Sequence, residues 1–338
     1  MKILPVFLPQ MGCKENCVFC DQGSATGVSK APELSKIDEL VESYKYSAAQ
    51  FEIAFYGGTF TGLPESVQEF YLNWANRYIK QGICAGIRIS TRPDQIDEQR
   101  LRFLKNHNVS FIEIGAQSFD ELVLKKSNRG HGAEDIEKAC RLMRDMGIDY
   151  GLHLMVGLPA DDERKDLLSA WKTVDIGART CRIHPTLVLK NSALAKLFAN
   201  GEYKPLSLEN AIDICSKMVA ILESHNVKVI RVGLFIPNDL EHNVIAGPYH
   251  PRFGELVRTD LVKKIVSHIK PNKIVYTHRQ GSLLKSVDLP AQTGEEFGFL
   301  IDGCFLSWKD ALTEYVSGGV RDVRTTQERY ITTNRKCI

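Results

Sequence analysis

Hydrophobic residues recur along the first two thirds of this chain in short runs, and each run is followed by a turn and then by a stretch of helical period. Runs of this length predict buried strands, whereas apolar positions three or four residues apart predict amphipathic helices. The pattern predicts strands at 2–8, 51–56, 86–90, 110–115, 149–156 and 181–189. It predicts helices at about 33–49, 64–80, 94–107, 132–146 and 162–177.

This alternation of strands and helices has a simple interpretation, because strands joined by helices form a parallel, right-handed βα array. A further helix at 207–225 and an extended run at 227–232 close the array, and from residue 233 the rhythm gives way to loops with Gly and Pro. We therefore expect an α/β fold in two parts. Residues 1–232 form the core, and residues 233–338 form a small α+β C-terminal extension.

Composition narrows the class of protein. With 338 residues, 43% hydrophobic and 25% charged, the chain is neither disordered, fibrous nor membrane-spanning. Its 43 Lys and Arg against 41 Asp and Glu leave a net charge of +2, so overall charge gives no strong attraction to phosphates. The first ten residues, MKILPVFLPQ, fit neither a signal peptide nor a spanning helix. We expect a cytoplasmic protein without membrane contact.

The cysteines point to chemistry. Most of the nine are scattered singly, and we expect them to be reduced thiols rather than a disulfide framework. Cys13, Cys17 and Cys20 instead lie together after the first predicted strand. Structural zinc takes four ligands, and no second pair is nearby; a 4Fe–4S cluster takes one ligand per iron, so three cysteines leave one iron open. We predict such a cluster; a pair of buried thiols and a zinc site completed by another chain are the alternatives.

The spacing of these cysteines, with Phe19 before the third, resembles the CxxxCxxC signature of the radical S-adenosylmethionine (SAM) superfamily. The resemblance implies a partial (β/α)6 barrel, in which this loop follows the first strand, binds the 4Fe–4S cluster and places Phe19 beside the cofactor. In the family, SAM chelates the open iron. Reductive cleavage then gives a 5′-deoxyadenosyl radical that abstracts a substrate hydrogen atom. An electron donor such as flavodoxin or ferredoxin is implied.

The segment FYGGTFTG ends the second predicted strand and resembles the family's GGE-type motif, whose backbone meets the SAM amino group. The resemblance thus assigns Gly57, Gly58 and Thr59 to SAM binding. Taken alone, paired glycines also fit an ordinary tight turn between a strand and a helix.

Two further segments, IEIGAQSFDELVLKKSNRGH at 112–131 and MVGLPAD at 155–161, resemble one subgroup of the superfamily. It contains the catalytic subunit of Elongator and the oxygen-independent coproporphyrinogen oxidases. The resemblance assigns Gln117 and Arg129 to SAM contact, and His153 to a position that reaches the SAM ribose. From the residues alone, these three also fit a helix cap, a solvated loop charge and a core histidine.

The motifs FYGGTFTG, STRPD at 90–94 and NRGH at 128–131 favour the Elongator-like branch, with a resemblance that covers about residues 1–232. In that branch the substrate is the wobble uridine of certain tRNAs, and an acetyltransferase domain accompanies the radical module. Residues after 232 contain no Gly-rich pyrophosphate loop that opens a helix. We therefore expect a stand-alone form without the acetyltransferase domain.

A basic stretch in the extension is the candidate RNA surface, because residues 261–287 contain no acidic residue. Cations that contact phosphates and aromatic rings that stack on bases are the common parts of RNA-binding surfaces. The candidates are Lys263, Lys264, Lys270, Lys273, Tyr276 and Arg279. The alternative is a helix at about 254–269 with a solvated lysine face, followed by a strand.

The sequence therefore predicts a radical SAM enzyme that modifies tRNA. Two alternatives remain open at this point. One is a radical SAM enzyme with a small, tetrapyrrole-type substrate, and the other is a non-catalytic iron–sulfur protein that binds RNA.

Overall fold

Seven parallel strands form the central sheet of the computed structural model, which describes residues 2–45, 50–277, 287–320, 323 and 336–337. The strands follow one another across the sheet in chain order, and the sheet curls into a half-barrel. They are β1 (Lys2–Phe7), β2 (Phe51–Tyr56), β3 (Cys84–Thr91), β4 (Val109–Gln117), β5 (Asp149–Val156), β6 (Thr180–Pro185) and, after the short strand β7 (Val188–Leu189), β8 (Lys228–Val232).

Helices cover the outer face of this sheet, because alternate strand residues such as Ile53, Ile89 and Leu154 are apolar and fully buried. The opposite, inner face carries polar residues instead. The helices of this part are α1 (Gln22–Thr26), α2 (Leu34–Lys45), α3 (Glu65–Lys80), α4 (Glu98–Asn106), α5 (Glu121–Lys126), α6 (Ala133–Asp145), α7 (Glu163–Asp175), α8 (Ala193–Ala199) and α9 (Leu208–Ser224).

Capping residues explain where several helices begin. Asp97, Asp120, Asp162 and Ser207 each precede a helix and accept a hydrogen bond from a backbone N–H three residues later. The helix predicted at 94–107 is therefore shorter than expected: residues 93–95 form a 3₁₀ turn, and α4 begins only after Asp97.

The predicted α/β half-barrel is confirmed, but the single strand predicted at 181–189 is divided into two strands. Parallel pairing of β6 ends at Pro185, which has no N–H to donate to a neighbouring strand. The chain then forms β7 (Val188–Leu189), which pairs antiparallel with β9 (Val244–Ala246) in a separate ribbon. The run at 227–232 supplies the seventh parallel strand.

The C-terminal part is α+β, as predicted. Helix α10 (Phe253–Ile269) packs against α9 and β8, and α11 (Trp308–Gly319) packs against α9 and α10. A second, mixed sheet has the order β11-β10-β12-β13-β14. Its strands are β10 (Lys273–Tyr276), β11 (Ala291–Thr293), β12 (Gly298–Ile301), β13 (Cys304–Ser307) and β14 (Lys336–Cys337). The division of the chain at residue 232 stays a prediction.

The scattered cysteines differ from one another. Cys84, Cys140, Cys181 and Cys215 are free and buried, as expected of small apolar residues. Cys304 is disulfide-bonded, so the expectation of a reduced thiol is wrong there. Within the described ranges, every helix is too short or too polar to cross a membrane.

Candidate functional site

The loop with Cys13, Cys17 and Cys20 connects β1 to α1 at the carboxyl edge of the half-barrel. Cys13 is exposed, whereas Cys17 and Cys20 are half-buried. The far end of the loop is fixed by Asp21, whose carboxylate accepts hydrogen bonds from the backbone N–H groups of Ser24, at 3.0 Å, and Asn191, at 3.1 Å. The three cysteines therefore lie in a loop whose far end is anchored by side-chain hydrogen bonds.

Glycines allow the cysteine loop to lie directly on the turn after β2. A Cβ atom on Gly12 would come within 2.2 Å of the Thr59 carbonyl oxygen, and one on Gly58 within 2.3 Å of the Met11 carbonyl oxygen. Gly12 also has φ +73°, a left-handed conformation that favours glycine. Only glycine fits at both positions without a shift of the backbone. Gly58 was predicted from its motif, whereas Gly12 was not.

Backbone hydrogen bonds join the same two segments. Gln10 donates to the carbonyl oxygen of Gly57 at 2.8 Å, and Thr59 donates to that of Met11 at 2.9 Å. The Thr59 hydroxyl lies 3.3 Å from the Cys13 sulfur. Gly57, Gly58 and Thr59 thus hold the cysteine loop, and contact of their backbone with SAM stays a prediction.

Apolar packing supports the middle of the loop. Phe19 packs with Val18 against a small cluster around Val188, Leu194 and Tyr203, so its neighbours in this structure are hydrophobic side chains. Leu194 also donates a backbone hydrogen bond of 2.7 Å to Val18. The cluster comes from β7 and from α8 with the segment that follows it, which sequence analysis did not connect with the cysteines. The apolar residues of β7 and α8 were the feature of the sequence that could have indicated this contact.

The NRGH segment contacts the loop from the other side. Asn128 donates its side-chain amide to the carbonyl oxygen of Asn16 at 2.9 Å. Arg129 is only 5% exposed, and its guanidinium donates to the Cys17 sulfur at 3.1 Å and to the carbonyl oxygen of Gly115. Arg129 is therefore a buried cation in direct contact with one candidate ligand.

Gln117 ends β4 beside this arginine. It is 9% exposed and has φ +71°, a conformation that a residue with a Cβ rarely adopts. A Cβ on Gly115 would meet the Gln117 amide nitrogen at 3.1 Å and the Arg129 guanidinium at 3.2 Å, so both groups converge on Gly115. The structure thus brings together two residues predicted to contact SAM. Strained backbone of this kind is common at functional sites.

The donor set fits an iron–sulfur cluster. Burial, and then the neighbouring Cys17 and Cys13, raise the pKa of the Cys20 thiol to about 11, because three thiolates close together repel one another. Bound iron would supply the positive charge that stabilises them, and soft thiolate ligands suit such clusters. Across the described residues, no group of three or more His, Cys, Asp or Glu side chains is placed so that it could hold a single metal ion. In a cluster, each cysteine binds a different iron.

The inner face of the half-barrel carries a buried ionic network centred on Glu113 in β4. The Glu113 side chain is 1% exposed and accepts from Arg182 at 2.6 Å, Arg88 at 3.2 Å and His153 at 2.8 Å. Tyr56 also donates its hydroxyl to Glu113. Although burial opposes ionisation, the bonds from His153 and Arg182 hold the pKa of Glu113 far below its usual value. Of this network, only His153 was predicted as a site residue from the sequence.

His153 is a half-buried member of this network. Its Nε2 lies on Glu113, and its ring lies 5.6 Å from that of His184 in β6. The predicted contact of His153 with the SAM ribose remains a prediction.

The predicted basic surface is only partly available. Lys263, Lys270 and Lys273 are exposed on α10, after α10 and on β10. Lys264 instead forms ion pairs with Asp213 and Asp260. Tyr276 packs against the main core. Arg279 lies outside the described residues, and RNA contact by any of these residues stays a prediction.

Comparison with known protein families agrees with this arrangement. A radical SAM superfamily model matches residues 7–170, and a radical SAM C-terminal domain model matches residues 178–263. A solved structure titled as archaeal Elp3 of Methanocaldococcus infernus superposes with a TM-score of 0.65 and 24% identity, covering 78% of this chain and 63% of the other. At that identity the match supports the fold alone.

The curated relatives include proteins named for tRNA uridine 34 and for Elongator. The chain is 25% identical over 313 residues to a "tRNA uridine(34) acetyltransferase" of Methanocaldococcus infernus, covering 84% of this chain and 57% of the relative. It is 27% identical over 238 residues to "Elongator complex protein 3" of Drosophila melanogaster, covering 64% and 42%. The chain thus spans about half the length of these relatives. By its fold and its matches to both domain models, the chain belongs to the radical SAM superfamily.

Proposed function

We propose that this protein binds a 4Fe–4S cluster through Cys13, Cys17 and Cys20, cleaves SAM reductively and modifies a uridine of tRNA. The observation that carries the proposal is the contact of the cysteine loop with the turn at Gly57–Thr59 on one side and with Arg129 on the other. Both contacts join residues that the family motifs assign to one cofactor site.

Each part of the site has a distinct task in this proposal. The three thiolates would bind three irons of the cluster and leave the fourth iron open for SAM. When bound, the 4Fe–4S cluster would supply the electron that cleaves SAM to methionine and a 5′-deoxyadenosyl radical. Gly12 and Gly58 keep the loop close to the β2 turn, and Arg129 holds Cys17 and stabilises negative charge on its sulfur. Gln117 lies beside Arg129, where SAM contact is proposed.

The substrate assignment comes from the relatives, whose names refer to tRNA uridine 34 and to Elongator. We propose the same substrate class, a uridine at the wobble position, for this chain. An electron donor of the flavodoxin or ferredoxin type completes the proposal. The exposed Lys263, Lys270 and Lys273 are the candidate phosphate contacts.

The test is formation of 5′-deoxyadenosine by anaerobically reconstituted, dithionite-reduced protein with SAM, with and without total tRNA. We expect product in both reactions and more of it with tRNA. Replacement of all three loop cysteines by alanine should remove the iron–sulfur absorbance and the product; absorbance that survives would contradict the ligand assignment.

Two results separate the remaining functions. Product without stimulation by tRNA would favour a small-molecule substrate. An intact cluster that yields no product with or without tRNA, while the protein retains tRNA on a filter, would favour a non-catalytic RNA-binding protein.

A further inference from the structure

The last two parallel strands place two arginines side by side on the inner face. Arg182 in β6 and Arg231 in β8 are paired across the ladder, so their side chains share one face. Like charges at paired positions of neighbouring strands are destabilising unless an anion compensates them. Arg182 has that compensation in Glu113, at 2.6 Å and 3.1 Å.

Arg231 has no such partner. Among the described residues, no side chain forms an ion pair or hydrogen bond with Arg231, which is an exposed residue. Partial desolvation and then the positive charge of Arg182 lower the pKa of Arg231, and Tyr56 is the one group that raises it. The carboxylate of Glu113 is already shared by Arg182, Arg88 and His153. The cation at Arg231 is therefore uncompensated within the part of the chain that the structure describes.

His184 adds a second unsatisfied group. It lies two residues after Arg182 on the same strand, and therefore on the same face. Its Nε2 atom is buried and has no hydrogen-bond partner among the described residues. Burial and the neighbouring His153, Arg182 and Arg231 lower the pKa of His184, so its ring is neutral and one ring nitrogen carries a hydrogen to donate.

We propose that Arg231 and His184 form an oxyanion-binding subsite on the inner face, which holds a phosphate or carboxylate group of the substrate. A guanidinium suits either oxyanion, because it presents several N–H donors in a plane. β8 ends one residue after Arg231, so the subsite lies toward the carboxyl edge, where the cysteine loop also lies. The assignment of this anion to the substrate rests on the proposed function.

The test is calorimetric titration of the reconstituted protein, saturated with SAM, with paired probes. Uridine 5′-monophosphate against uridine tests the phosphate source, and succinate against succinamide tests the carboxylate source. We expect the charged member of one pair to bind more tightly than its neutral partner. Arg231→Gln should weaken that binding by about tenfold or more, and Arg231→Lys by less, because lysine keeps the charge.

The matched control is Arg179→Gln. Arg179 is exposed just before β6, at the opposite edge of the sheet, and pairs with Asp149 at 2.6 Å. Its loss should leave binding of the charged probe unchanged. If the wild type does not distinguish charged from neutral probes, or if Arg231→Gln binds the charged probe as well as the wild type, the subsite is overturned.

Formation of 5′-deoxyadenosine without any probe, measured in the same preparations, tests the proposed function separately. Wild-type protein that cleaves SAM but does not select the charged probes overturns only the subsite. Protein that binds a charged probe through Arg231 and does not cleave SAM supports the subsite and overturns the proposed radical chemistry.

Discussion

The cysteine loop and the inner face of the half-barrel are two adjacent regions that are held in different ways. The loop is positioned by backbone, with glycines that permit contacts no side chain would allow and hydrogen bonds between main-chain groups. The inner face is positioned by charged side chains that converge on Glu113. Steric fit tolerates almost no change of shape, whereas an ionic network tolerates change of shape and responds to loss of charge. The two regions should therefore fail differently when they are altered.

The largest effect is expected for Gly12→Ala. The new Cβ would lie 2.2 Å from the Thr59 carbonyl oxygen at a residue with φ +73°, so steric overlap and backbone strain add together. We expect a loss of about 4 kcal/mol in the free energy of unfolding and little bound iron after reconstitution. Urea denaturation and iron content measure these two quantities.

The matched control is Gly82→Ala, because Gly82 also has φ +73° but nothing lies within 4 Å of its Cβ position. This variant should lose about 1 kcal/mol from backbone strain alone and bind iron normally. Equal losses in the two variants would show that steric contact between the loop and the β2 turn is not what matters.

The ionic network should respond to Glu113→Gln, which keeps the shape and removes the charge. Arg182 and Arg88 would then be buried beside a neutral amide. We expect the free energy of unfolding at pH 7, measured by urea denaturation, to fall by about 3 kcal/mol. Glu52→Gln is the control with a smaller expected loss, because among the described residues Glu52 forms an ion pair with Arg88 alone.

The pH dependence checks the cause. Since the pKa of Glu113 lies far below 4.5, its ordinary value, its contribution is present above that pH and is lost as the pH falls. The difference between the wild type and Glu113→Gln should therefore shrink below pH 4.5. A difference that stays constant with pH would point to packing rather than charge.

The same contrast explains what the sequence could predict. The strands, the helices and the cysteine loop were predictable because hydrophobic period and ligand spacing are local features. Glu113, Arg182 and Arg88 lie on three strands far apart in the chain, and no local pattern marks a charged residue as buried. The end of β6 at Pro185 was missed because the apolar run continues through Leu189, although proline cannot continue the ladder.

The candidate site shows the same limit. Cys13, Cys17, Cys20 and Gly58 were predictable from motifs, but the partner of each was not. Contact of Arg129 with the Cys17 sulfur depends on the fold of the segment at 128–131, which only the structure reveals.

Arg129 should affect the electronic properties of the proposed cluster more than its assembly. A hydrogen bond donated to a ligand sulfur stabilises the reduced, more negative cluster. We expect Arg129→Gln to lower the midpoint potential by roughly 60 mV, and Arg129→Lys, which keeps the charge, by less. Redox titration followed by electron paramagnetic resonance measures this shift. Arg100→Gln removes an exposed arginine and should leave the potential unchanged; an equal shift there would assign the effect to overall charge.

The smallest effect is expected at two neighbouring acidic residues after β5, the half-buried Asp161 and the buried Asp166. Burial raises the pKa of Asp161 to about 6, and burial together with Asp161 raises that of Asp166 well above its usual value. Because these pKa values are raised in the folded state, the pair loses stability as the pH rises through about 6. Asp166→Asn should therefore raise the free energy of unfolding at pH 7 by about 1 kcal/mol. In urea denaturation, this free energy should also depend less on pH between about pH 4 and 7 than in the wild type. The control is Asp162→Asn, because Asp162 is the exposed residue that caps the start of α7. This change should alter the free energy of unfolding by less than about 0.5 kcal/mol, since Asn caps a helix about as well as Asp. If Asp166→Asn is instead less stable than the wild type at pH 7, the hydrogen bonds of the Asp166 carboxylate matter more than its charge.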